Sequence, residues 1–82
     1  MVKKLKLSEA RILIYLNQAE PRYKYARRMS SKLNIDYGYL IGILNGLHSK
    51  KWLHKIKRGN KRFYELNKIA PINEAYDRRV VK

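Results

Sequence analysis

Arg58, Lys61 and Arg62 crowd a short stretch, residues 52–66, together with Lys55, Lys57 and the titratable His54. Guanidinium and ammonium groups this dense do one kind of chemistry well. They neutralise phosphates and release the counterions condensed on a nucleic acid, which gives affinity without reading sequence. The stretch itself alternates apolar and polar residues on either side of Arg58-Gly59-Asn60-Lys61, where Gly59 and Asn60 tolerate positive φ, so it reads as a two-stranded hairpin with a basic tip. Lys55 and Lys57 alternate with Ile56, which puts both outward if Ile56 is buried.

A second basic group precedes it. Arg27, Arg28 and Lys32 fall in a segment with helical periodicity, after Tyr23-Lys24-Tyr25. Between Arg22 and Arg62 there are twelve lysines and arginines and one acid, Asp36, in a chain whose net charge is +14. A surface that is merely solubilising interleaves both signs. Clustering of one sign implies a polyanionic partner, nucleic acid first and an anionic membrane surface second.

Other chemistries find no support. The acids Glu9, Glu20, Asp36, Glu65, Glu74 and Asp77 form no close pair, His48 and His54 have no ligand partners at metal spacing, and there is no cysteine. No Ser/His/Asp set or glycine-rich phosphate loop is present. The expectation is therefore no enzyme, no catalytic residues, no metal, no cofactor and no small-molecule substrate. Absence of cysteine and of a long apolar run near the N-terminus fits a cytoplasmic, nucleoid-associated protein without a membrane segment.

At 82 residues the chain has room for one domain, near the lower end of self-sufficient folding. Ser8, followed by Glu9 and the run Ile12-Leu13-Ile14-Tyr15-Leu16, predicts a first helix capped by Ser8 and ending near Gln18. A break at Glu20-Pro21-Arg22 leads to a second helix over 25–33, with Ala26, Met29 and Leu33 on one face. Asn34 suits a left-handed turn, Ile35 plugs the junction, and Asp36 is a good N-cap for a third helix over 37–50. Leu40, Ile43, Leu44 and Leu47 form its buried stripe. Trp52, Phe63, Tyr64 and Leu66 read as packing residues of the hairpin. Pro71 suits the first turn of a last helix over 71–81, with Ile72, Ala75, Tyr76 and Val80 on one face.

From Tyr25 to Leu66 the chain resembles the winged helix-turn-helix of MarR-type and related small archaeal transcriptional regulators. The resemblance rests on Met29-Ser30-Ser31-Lys32-Leu33-Asn34-Ile35-Asp36, on Leu40, Ile43, Leu44 and Leu47, on Lys50-Lys51-Trp52-Leu53, and on the hairpin. With the helix before the motif it covers about residues 7–66. It implies a mainly α fold with a small β-hairpin, in the order α-α-α-β-β-α, with the helix-turn-helix at 25–51 and the wing at 52–66. It further implies a duplex-DNA partner, a recognition helix in the major groove, a wing on the adjacent backbone, and a homodimer, here through the last and first helices.

In that arrangement Arg27, Arg28 and Lys32 clamp one phosphate backbone, Arg58, Lys61 and Arg62 hold the next, and Tyr37, Tyr39, Ile41 and Asn45 enter the groove. The third helix departs from the family there. Gly38, Gly42 and Gly46 occupy its outer side, where family members place side chains that bond base edges; Asn45, Ser49 and the two tyrosine hydroxyls are what remain. Each interior glycine costs about 1 kcal/mol relative to alanine, which points to a close approach of something to this backbone. Two rival readings follow: a sequence-neutral architectural DNA- or RNA-binding protein, and a protein-interaction module that grips through the glycine ridge.

Overall fold

The structure, a computed structural model, describes residues 5–80, and the side chains of 5–78. Helix α1 (Leu7–Gln18), a 3-10 turn (Pro21–Tyr23), α2 (Ala26–Leu33), α3 (Tyr37–Ser49), strands β1 (Leu53–Arg58) and β2 (Lys61–Leu66), and α4 (Ile72–Val80) follow one another. This is the α-α-α-β-β-α order of a winged-helix-like fold.

Helix α1 is the axis of the core. Ala10, Ile12, Leu13, Ile14 and Leu16 are all buried, so this helix is covered on nearly every side. Helix α2 and β2 pack on it, and so does α4. Its start differs from the sequence expectation by two positions. Lys6, not Ser8, is the cap residue, because the Glu9 carboxylate accepts the Lys6 backbone N–H at 3.0 Å and closes the first turn from inside. Ser8 lies within the helix.

Two left-handed residues set the helix ends. Asn34 (φ 56°) terminates α2, and the N–H of Ile35 returns to the Ser30 carbonyl at 3.1 Å. Asp36 then caps α3 through a bond from the Tyr39 N–H, 3.2 Å. At the other end, α3 stops at Ser49. Lys51 (φ 65°) occupies the left-handed position that glycine usually fills. The Trp52 N–H reaches the Leu47 carbonyl at 3.1 Å and the Lys51 N–H the His48 carbonyl at 2.9 Å, which is a Schellman closure made without glycine. Leu40, Leu44 and Leu47 are fully buried, whereas Ile43 is half-buried.

The two strands pair antiparallel from Leu53↔Leu66 to Arg58↔Lys61 around a two-residue turn. Only Gly59 has positive φ (57°). Asn60 does not, so the turn has the sign pattern of type II′, with its one positive φ at the first central position. The strand pair has a third member that periodicity did not reveal: Tyr25 bridges Phe63, and the Tyr64 N–H bonds the Lys24 carbonyl at 2.9 Å. This pins the wing to the start of α2.

Helix α4 follows Pro71 directly and lies along α1, with Ala75 fully buried and Ile72 and Tyr76 packed against the core. The Tyr76 hydroxyl meets the Asn17 and Gln18 side-chain amides, and the Arg78 guanidinium donates to the Leu5 carbonyl. The apolar face proposed for dimerisation is thus occupied within the chain itself. Val80 belongs to that expected face, and its side chain lies outside the described residues, as does residue 81.

Candidate nucleic-acid interface

The cations identified in the sequence are exposed, and the fold sorts them into groups. One group borders a groove of about 410 Å³ between the wing tip and the first turns of α2 and α3. Its walls are Tyr25, Ala26, Arg27, Tyr37, Asn60, Lys61 and Arg62. Three cations and no carboxylate line it. Arg27 lies over the Tyr37 ring at 5.0 Å, and the Lys61 ammonium lies 4.4 Å over the Tyr25 ring. Tyr25 in turn meets Phe63 edge to face at 5.5 Å. Each aromatic contact restrains a long cation, so less side-chain entropy is left to lose when a phosphate arrives.

Arg58 does not share this groove. It borders a separate hollow with Pro21, Arg22, Lys24, Ile56, Phe63 and Glu65. Lys55 and Lys57 are exposed on β1, opposite Tyr64 and Arg62 in the register, and Ile56 between them is half-buried rather than buried. The wing therefore shows cations on both faces around its tip.

The second-helix trio is split as well. Arg27 turns toward the wing, but Arg28 and Lys32 line a different groove with Tyr15 and Tyr23. The structure does not bring the three together as one clamp.

On α3, Tyr37 is 40% exposed and Tyr39 61%, and Asn45 and Ser49 are exposed, while Ile41 is half-buried against the core. The glycine side is open: a Cβ placed at Gly42 or Gly46 meets nothing within 4 Å, and one at Gly38 meets only the Asp36 carboxylate at 3.4 Å. Nothing in the chain itself requires glycine at these positions. Asp36, the one acid between Arg22 and Arg62, accepts the Tyr39 N–H as the α3 cap and forms no ion pair among the described residues.

Two other cations of the basic segment are paired with acids. Lys50 forms an ion pair with Glu9 at 3.6 Å and lies over Trp52 at 4.6 Å, tying the end of α3 to the start of α1. Arg22 pairs with Glu20 at 3.0 Å. Behind the groove Tyr64 is fully buried, and its hydroxyl has no hydrogen-bond partner among the described residues; burial pushes its pKa above the usual tyrosine value. Tyr25 becomes a groove wall through its bridge to Phe63, a contact between segments distant in sequence.

Comparison with protein-family models, curated proteins and solved structures gives no match. Its class is given by its topology, which is winged-helix-like.

Proposed function

We propose that this chain binds duplex DNA, as a transcriptional regulator of the winged helix-turn-helix kind. The observation that carries the reading is the groove between wing and α3, with Arg27, Lys61 and Arg62 on its walls and no acid among its lining residues. A phosphate backbone seated along it neutralises those cations, while the exposed side of α3 faces the major groove. Tyr37, Tyr39 and Asn45 are the polar groups available there for base edges and sugars, with Ile41 at the margin. Lys55, Lys57 and Arg58 extend the contact along the wing.

One observation favours a second reading, a sequence-neutral architectural role on DNA or RNA. Helix α3 contains no Lys, Arg, Asp or Glu and exposes glycine where base-reading side chains would stand. Selection from a random duplex pool separates the two. The regulator reading expects a motif, and a palindromic one if the protein is a homodimer on the surface that α1 and α4 leave free. Binding without enrichment of any sequence assigns the architectural role, and preference for structured RNA over duplex DNA overturns both DNA readings.

A further inference from the structure

Helix α2 presents cations in two directions. At about 100° per residue, Arg28 and Lys32 lie roughly 100° and 140° around the helix from Arg27. They border a groove between α1 and α2 of about 240 Å³, whose other walls are Tyr15, Gln18, Ala19 and Tyr23. Past Tyr15 and Lys32 it continues into a hollow of about 320 Å³ reaching Arg11, Ile14 and Leu33. Neither part shares a lining residue with the groove beneath the wing.

Arg28 is held in place here. Its guanidinium lies 4.7 Å over the Tyr23 ring, and the Tyr15 hydroxyl beside it in the groove donates to the Tyr23 carbonyl at 2.6 Å. Among the described residues the ion pairs are Arg22–Glu20 and Lys50–Glu9, so Arg28 and Lys32 have no carboxylate. A guanidinium already restrained by an aromatic ring has less side-chain freedom to lose on meeting an anion.

The walls say which anion. Tyr15, Tyr23 and Leu33 give the groove apolar surface between its cations. A phosphodiester backbone would satisfy the charges and leave that surface wet. A compact small molecule would be better served by one enclosing cavity than by two shallow hollows in a row. An extended chain carrying carboxylates alternately with aromatic or aliphatic side chains matches both features and the length.

We propose that the α1/α2 groove docks an acidic, apolar-bearing segment of a partner protein. The charge complementarity is with Arg28, Lys32 and Arg11, and the side-chain contacts are with Tyr15, Tyr23 and Leu33. The site stands whether or not the wing face binds DNA, and its position lets both faces be used at once.

The test is amide NMR on the full chain, titrated with a short synthetic peptide alternating aspartate and phenylalanine. A polyaspartate peptide and a random duplex serve as the comparison ligands. The expected result is shifts centred on Tyr15, Gln18, Tyr23, Arg28 and Lys32, with polyaspartate bound roughly tenfold or more weakly. Arg28→Gln should weaken the peptide by roughly tenfold. If that variant loses its dispersed spectrum, Lys32→Gln, which removes no internal bond, provides the same comparison with a smaller loss. Shifts confined to α3 and the wing overturn the proposal, as does equal affinity for polyaspartate. Stronger shifts of the same groove residues by duplex overturn it too, and assign the groove to nucleic acid.

Discussion

The wing and the third helix border the same groove with opposite equipment. The wing strands carry Lys55, Lys57, Arg58, Lys61 and Arg62 against a single acid, Glu65. Helix α3 carries no formal charge apart from a titratable histidine, and shows two tyrosines, an asparagine and open glycines. Affinity for a polyanion resides in the cations, and discrimination resides in positioned donors and acceptors. Under the proposed function, this division assigns the hold on DNA mainly to the wing and leaves α3 little to read with.

The largest effect that would test this division comes from the wing. Arg58→Ala with Arg62→Ala should weaken all duplex sequences alike, by about one to two orders of magnitude at 0.1 M salt, and reduce the salt slope by about 2. Of the two, Arg62 should matter more, because it lines the groove shared with α3 while Arg58 lines a separate hollow. Binding isotherms on several unrelated duplexes check both points. A loss restricted to one sequence would give the wing a reading role and break the division.

Asn45→Ala should act in the complementary way. Its cost should be about 1–3 kcal/mol on a preferred site and near nothing on random duplex. A uniform loss would remove Asn45 from base recognition.

A smaller effect carries two readouts. Gly42→Ala should raise thermal stability by about 1 kcal/mol, since the position is helical and a Cβ there meets nothing. The same methyl should weaken duplex binding if α3 lies close against the DNA. Stabilisation with unchanged binding would show that the glycines are no approach surface.

The smallest effect tests the joint between the two regions. Lys51→Gly should stabilise the fold by about 0.5–1 kcal/mol in chemical denaturation, because φ is 65° in a Schellman closure that favours glycine. Destabilisation would mean that the Lys51 side chain does more in the fold than its exposure implies.

The architecture was legible because the apolar spacings are strong. Leu40, Leu44 and Leu47 announce a one-sided helix, Asn34 and Asp36 announce a turn with a cap, and the alternation after Trp52 announces strands. What escaped depended on contacts between segments distant in sequence. The Tyr25–Phe63 bridge joins residues that no local period links. The separation of Arg27 from Arg28 and Lys32 follows from helical rotation, yet which side faces the wing is decided only when α2 docks on α1. Helix α4 could be recognised as amphipathic, but not whether its apolar face meets its own α1 or another copy. The start of α1 shifted to Lys6 because Glu9 can reach back to that N–H, a choice that side-chain geometry makes and the Ser8 cap signal does not reveal.

The proposed binding of duplex depends on the cations Arg27, Lys61 and Arg62 of the wing groove, and one titration tests it directly. Affinity for random-sequence duplex, measured between about 50 and 200 mM salt, should fall with a log–log slope near −5 if about six phosphates are neutralised. A flat response would contradict duplex binding by this face altogether.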